Sequence, residues 1–425
     1  MDTSFTRRQF MGTMGAAMML PGVAQRRRQT HLEHTGDFDF RIRTITAGVP
    51  MTSGDDLAAL DKAASFLNAA RTRYADLGYE VQTIRIATQP LTSYLTNWRS
   101  EQGLRTIDIF DSFAVEHGIM FNIGPLITVD RYDPDLAEWV VEMNSRTRNI
   151  SCTVHVASDQ DGVHRKTAHT AAEIIAELAR KSADGEGNFR FAATAFCPPG
   201  TPFFPAAYHD GAASFAIGLE TPHLLEAAFR ETSDIESAQS RLREVLNSAM
   251  KPVAEQAEVI AGQTGRRYLG IDVSPAPGPD ASIGAAIEAL SGAPFGSMST
   301  LSACAAITDV LKTLDVQTCG YSGLMLPVLE DPVLAQRAEE GRYGVSELLL
   351  YSTVCGTGLD VIPLPGDTSV DSMRKLITDV ASLSNKYKKP LSARLFPVPG
   401  LKAGDHATFT NPFLMDSIIM KLDGD

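Results

Sequence analysis

Three consecutive stretches near the start of the chain narrow what it can fold into. Phe40-Arg41-Ile42-Arg43-Thr44-Ile45-Thr46-Ala47-Gly48 alternates apolar and polar residues, the two-residue period of a strand. Ser53 to Asp56 offer helix caps, and Leu57, Leu60, Ala64, Leu67, Tyr74 and Leu77 then recur at helical spacing until Gly78 stops them. Residues 79–87 return to strand. Strand, helix and strand in that order make a β-α-β unit, the building block of parallel sheet. The alternation continues, with strands expected at 106–110, 150–157, 189–195, 214–219, 267–273 and 391–396. Helices are expected at 135–145, 167–182, 233–263, 282–290 and 299–314. The fold class is therefore α/β. No internal repeat or low-complexity block divides residues 38–425, which read as a single domain.

The totals set outer limits. In 425 residues, 44% are hydrophobic and 21% charged, enough apolar side chain for a substantial core. A net charge of −13 repels phosphate backbones and anionic lipid, so nucleic acid is not an expected partner. No window supplies the ~18 apolar residues that cross a bilayer. Cysteines 152, 197, 304, 319 and 355 are too scattered for a disulfide scaffold, and no C-x-x-C pair marks a zinc ribbon.

Residues 1–28 read as a twin-arginine export signal with a basic flank. The signal elements are Thr6-Arg7-Arg8-Gln9-Phe10-Met11, an apolar run to Leu20, and small residues at Gly22-Val23-Ala24. The rival reading is a disordered basic N-terminus. Residues 29–37 read as a linker. Export would put the protein in the periplasm or outside the cell, with the twin-arginine machinery as a partner and the thiols in an oxidising compartment. An unused signal would leave it in the cytoplasm. Homo-oligomerisation stays open.

Chemistry-bearing residues collect where α/β folds place their sites, at strand ends. Thr353-Val354-Cys355-Gly356-Thr357-Gly358-Leu359-Asp360 sets a thiol between an apolar entry and two glycines, with a carboxylate following. Cys355 is either a buried structural thiol beside a tight turn or a sulfur carried into an interior cavity on a narrow loop. Four prolines within residues 196–205 make a rigid loop rooted at Cys197. His209 follows, then strands ending in Glu220 and Asp272. Cys319-Gly320-Tyr321-Ser322-Gly323 is a second glycine-bracketed turn with a thiol. Arg394, alone in an apolar strand, either pairs a buried carboxylate or holds an anionic substrate.

A Cys/His/acid arrangement is available, with Cys355 as nucleophile, His209 as base and Asp272 or Glu220 orienting it. His209 equally reads as a satisfied turn histidine. Cys197, His209, Glu220 and Asp272 could ligate a metal, but their spacing matches no ligand grammar and no metal is expected. Neither G-x-x-x-x-G-K-[ST] nor a helix-opening G-x-G-x-x-G occurs, so ATP and NAD are not expected and the cofactor is left unassigned.

Taken together, residues 40–48, Phe196-Cys197-Pro198-Pro199-Gly200, Gly270-Ile271-Asp272, Gly320-Tyr321-Ser322-Gly323, Pro327-x-x-Glu330-Asp331, Cys355-x-x-Gly358-Leu359-Asp360 and Arg394 form a set. The chain, from about Phe38 to its end, resembles the uncharacterised family called domain of unknown function seven-hundred-eleven. That family is grouped by fold with the pyruvate formate-lyase-like glycyl radical proteins. The resemblance implies an α/β barrel of about ten strands with a central finger loop, and Cys355 would match the reactive cysteine on that loop. No Arg-Val-Ser/Ala-Gly-Tyr motif is present, so the fold is expected without the radical. The functional expectation is a non-radical, cysteine-dependent lyase, transferase or hydrolase acting on a small anionic carbonyl metabolite. Cys355, His209, Asp272 and Glu220 would do the chemistry, with Arg394, Cys197, Cys319 and Tyr321 at the substrate. The alternative is an exported protein that holds a small ligand or metal in the same barrel cavity, or a metalloenzyme that uses it.

Overall fold

The computed structural model describes residues 38–422 apart from 231 and 233. The expected export signal lies outside the described residues. The sheet strands are β1 (Arg41–Val49), β2 (Val81–Thr88), β3 (Ile119–Pro125), β4 (Ile150–Ser158), β5 (Gly162–Val163), β6 (Phe191–Ala195), β7 (Ser214–Glu220), β8 (Arg267–Asp272), β9 (Gly358–Pro365) and β10 (Leu391–Val398). The long helices are α1 (Leu57–Ala75), α2 (Glu101–His117), α3 (Leu136–Arg146), α4 (Arg165–Lys181), α5 (Pro222–Arg230), α6 (Ile235–Thr264), α7 (Ile283–Ser291), α8 (Thr300–Leu311), α9 (Pro332–Glu339), α10 (Val345–Tyr351) and α11 (Val370–Tyr387).

The architecture is mixed α/β around one ten-stranded, mostly parallel sheet. Its order is β8-β7-β1-β2-β3-β4-β6-β10-β9, with β5 paired to β4. Strands β1, β2, β3, β4 and β6 run parallel to their neighbours. The sense reverses at both flanks, where β7 lies antiparallel to β1 and β10 antiparallel to β6. Beyond each reversal a parallel neighbour is added, β8 on β7 and β9 on β10. The two outermost strands are bridged by one stretch of chain: Thr318 pairs with Ile271 of β8, and Pro327 pairs with Asp360 of β9.

Alternation in β1 does not mark a wet face. Arg41, Thr44 and Thr46 are all buried, as are Ile42 and Ile45. A register shift between Ile42 and Thr44 lets odd-numbered arginines and even-numbered threonines look the same way. The apolar residues face helices: α1 buries Leu60, Ala64, Leu67 and Tyr74 against this side of the sheet, as the helical spacing requires. The polar residues face an inner space treated below.

One expected strand is a helix. Residues 106–110 alternate Ile107 and Ile109 over a short window, yet they lie inside α2. Ser100 caps that helix by accepting from the Gly103 amide, Gly118 ends it in the left-handed region, and Leu104, Ile107, Phe110, Asp111 and Ala114 form its buried stripe. Seventeen residues of helical spacing with both ends capped outweigh five residues of strand period. The strand of this unit is β3, immediately after the cap.

Candidate functional site

The inner face of the sheet carries alternating buried charge. Glu220, at the end of β7, accepts from Arg41 Nη1 at 2.6 Å, Arg43 Nη1 at 3.1 Å and Gln82 Nε2 at 2.9 Å. Arg394 in β10 donates from Nε to Asp360 at 2.5 Å and from Nη2 to Glu330. Glu330 also lies 3.8 Å from Arg43 Nη2, which joins the two groups into one chain of charges. Arg394 thus has the geometry of the paired reading: Asp360 and Glu330 occupy it. Burial pushes the Asp360 carboxyl above its usual range, against the pull of Arg394. Alternating sign offsets the desolvation that each isolated charge would suffer.

The proline-rich loop enters this space. Thr46 Oγ1 of β1 donates to the Pro202 carbonyl at 2.8 Å, Arg85 Nη1 of β2 donates to the same oxygen at 3.3 Å, and Asn122 Nδ2 of β3 donates to Pro205 at 2.9 Å. Phe203 lies over Gly218 of β7, where any Cβ would come 2.8 Å from the ring. Cys197, Phe203, Ala206, Ala276, Tyr321 and Met325 make a small apolar cluster around the loop. Burial pushes the Cys197 thiol up to about 11, partly countered by hydrogen bonding to Tyr321 and Thr201.

His209 lies at the far end of that loop, buried, with Nε2 2.9 Å from the Gly211 carbonyl and Nδ1 3.2 Å from Ser214 Oγ. Both ring nitrogens are therefore committed, and burial lowers the imidazole pKa. Asp272 spends its carboxylate on the next turn. It accepts from Ser274 Oγ at 2.6 Å, Tyr321 N at 2.8 Å and Ser322 N at 2.9 Å, fixing the Cys319–Gly323 stretch against β8. Cys319 is half-buried there, and its thiol is raised by burial and then by Asp272. Tyr321 lies beside both Cys197 and Ser392, with its phenol raised by burial.

Cys355 lies on the turn between α10 and β9, beside a cavity whose lining includes none of His209, Asp272 and Glu220. Its amide donates to Tyr351 O at 2.9 Å, and Lys389 Nζ donates to the carbonyls of Thr353 at 2.8 Å and Cys355 at 2.7 Å. Gly356 crosses Gly323 so closely that a Cβ on either would meet the other's Cα, and Gly356 N donates to Leu324 O at 2.9 Å. A cavity of about 290 Å³ opens beside this turn, lined by Cys355, Lys389, Lys312, Tyr321, Asp309 and Tyr387 among others. Burial raises the Cys355 thiol, while Lys389, the Ser352 hydroxyl and the Thr357 and Gly358 amides pull the other way. Burial lowers both lysines, and Cys355 partly restores Lys389. A larger hollow, about 430 Å³, lies between α4 and the turns after β9 and β10, and its lining includes no thiol or imidazole.

The sequence reading missed Lys312 and Lys389. It also passed over Arg85, although Ile84-Arg85-Ile86 has the same form as the strand around Arg394. Among the described residues no group of three His, Cys, Asp or Glu side chains converges as a metal site, so Cys197, His209, Glu220 and Asp272 do not meet around one point. All five cysteines are free thiols. No helix among the described residues is long and apolar enough to cross a membrane.

Comparison with known proteins places this architecture. The family model described as Uncharacterised ACR (DUF711) matches residues 36–411. The chain belongs to this family. Among curated relatives, a UPF0210 protein of Pyrobaculum islandicum is 31% identical over 389 residues, covering 86% of this chain and 85% of the relative. UPF0210 proteins of Desulforudis audaxviator and Methanococcoides burtonii are 26% and 25% identical, each covering 87% of this chain and 88% of the relative. The DUF711 match therefore spans every strand of the sheet and all the residues that line the cavity beside Cys355.

Proposed function

We propose that this DUF711 protein is a non-radical, cysteine-dependent enzyme that acts on a small anionic, carbonyl-containing metabolite beside Cys355. The observation that carries the reading is that Cys355, Lys312 and Lys389 line one cavity of about 290 Å³. Lys312 supplies positive charge for the anionic group, on a protein whose net charge is −13. The Cys355 sulfur adds to the carbonyl carbon, forming a C–S bond as the C=O pair moves onto oxygen. The thiol proton passes to Lys389, whose amine burial makes easier to hold neutral, and then to the new oxyanion. Collapse of that adduct returns the hydroxyl proton through Lys389 to a departing carbon, nitrogen or oxygen group and leaves a Cys355 thioester, whose C–S bond is then broken by water or by an acceptor nucleophile, restoring the thiol.

The supporting fold reading is a closed barrel of the pyruvate formate-lyase-like kind. Five parallel strands and an opposed set flanking them favour it, as does the bridging of β8 and β9 by one segment. The resemblance gives the central finger loop to the Cys355 turn; the contacts of Thr46, Arg85 and Asn122 with Pro202 and Pro205 favour residues 196–210 in that place instead, with the Cys355 turn at the wall.

Peptide-resolved labelling with iodoacetamide between pH 6 and 10 tests the chemistry. Cys355 should take up label, and Lys389→Met should move the midpoint of its rate upward by about 1 pH unit, because the cation favours the thiolate. A Cys355 that stays unlabelled in the folded protein at every pH removes the nucleophile.

Export by the twin-arginine route is part of the same proposal and rests on Arg7 and Arg8. Cell fractionation should find the wild type outside the cytoplasm and the Arg7→Lys/Arg8→Lys form retained within it. Equal distribution of the two would end this part of the reading.

A further inference from the structure

A second chamber lies among the inner charges and shares no lining residue with the Cys355 cavity. It has a volume of about 30 Å³, and its walls include Arg43, Arg85, Arg394 and Glu330. About two water-sized bodies fit in such a space, which suits a carboxylate head. Three rings form its rim, each against a different guanidinium: Phe413 with Arg43 at 5.9 Å, Phe204 with Arg85 at 5.9 Å and Phe189 with Arg394 at 5.4 Å. The apolar rings lower the local dielectric on their side of the chamber, which strengthens electrostatic contacts there.

The three arginines are not equivalent. Arg43 and Arg394 have carboxylate partners in Glu220, Glu330 and Asp360. Arg85 is 5% exposed, and among the described residues no carboxylate pairs with it. Its one side-chain hydrogen bond there is from Nη1 to the Pro202 carbonyl, and Nε has no partner. The Nε and Nη2 edge of the guanidinium is thus left over, a planar two-donor fork of the kind that matches a carboxylate. Burial and the Arg43 cation push the Arg85 pKa down, against Glu330, which marks a place short of negative charge. A buried cation without a partner is costly to the fold. A ligand anion removes that cost.

We propose that this chamber is a binding site for the carboxylate of a small organic acid, held by the free edge of Arg85 and separate from the thiol cavity. The planar fork favours a carboxylate over a halide. Glu330 disfavours a dianion such as phosphate.

Isothermal titration of sodium acetate into the purified full chain, at constant ionic strength set with sodium chloride, tests this directly. One saturable site per chain is expected, with inorganic phosphate at least tenfold weaker. Arg85→Lys keeps the charge and loses the fork, so it should weaken acetate at least tenfold. Arg85→Met should abolish binding and raise the thermal midpoint in acetate-free buffer, because it removes the unpaired charge. Absence of saturable acetate binding in the wild type overturns the proposal, as does unchanged binding in both variants. Saturating acetate should leave iodoacetamide labelling of Cys355 at its original rate. Protection of Cys355 by acetate would merge the two sites and overturn their separation, without touching the nucleophile assignment.

Discussion

Asp331→Ala should lower the free energy of unfolding by about 3–5 kcal/mol, read from urea denaturation followed by circular dichroism. Asp331 is fully buried, and burial raises its carboxyl pKa against several donors. One oxygen accepts from Ser282 Oγ at 2.7 Å, Val333 N at 3.0 Å and Leu334 N at 2.9 Å; the other accepts from Ile283 N at 2.6 Å. The same carboxylate therefore closes the first turns of α7 and α9. An ordinary cap contributes about 1 kcal/mol, and this one serves two helices inside the protein. Alanine strands the donors where water does not reach them. Asp331→Asn retains one acceptor oxygen and should lose less than half as much. A loss below about 1 kcal/mol for alanine would show that the two helix starts find other partners.

Gly356→Ala should cost about 2–4 kcal/mol and change the labelling rate of Cys355 severalfold, because overpacking against rigid backbone leaves nothing to move aside. The new Cβ would stand 2.3 Å from Gly323 Cα. Relief requires the Cys355 turn or the Cys319–Gly323 turn to shift, and the latter is held by Asp272. Urea denaturation and peptide-resolved alkylation on the same preparation measure both effects. An alanine variant with wild-type stability and labelling would mean that the two turns are free to separate.

Both residues show where the sequence was legible and where it was not. The β-α-β alternation could be read because α1 and its flanking strands each satisfy a local period. The glycines around Cys355 could also be seen, but their purposes differ. Gly358 adopts a φ of +87°, the backbone freedom expected of a turn glycine. Gly356 is required by a chain segment 33 positions away, a crossing that no local pattern records. Asp331 looked like part of a short acidic motif, and its double role depends on α7 arriving from a distant part of the chain.

The inner charges were hidden for a related reason. A strand with arginine and threonine on one side reads as half-exposed, unless it is known that other strands and a proline-rich loop cover that side. Arg394 stood out because its neighbours are so apolar, while Arg85 offered the same signal with a β-branched residue on each side. Lys312 and Lys389 sit at surface-like positions in sequence, and only the meeting of α8, the Cys355 turn and the start of β10 sets them around one hollow.

The stretch from Thr318 to Pro327 has a bearing on how the protein behaves at high concentration. Ile271 N donates to Gln317 O at 2.9 Å, Cys319 N returns a bond to Ile271 O at 3.1 Å, and the far end of the stretch lies against Asp360. The stretch occupies one point on each outer strand, at Ile271 and at Asp360, and so shortens the open row of donors and acceptors that could recruit a strand from another molecule. Peeling that seam away would lengthen both open edges, so its detachment would favour sheet-to-sheet polymerisation during storage or overexpression.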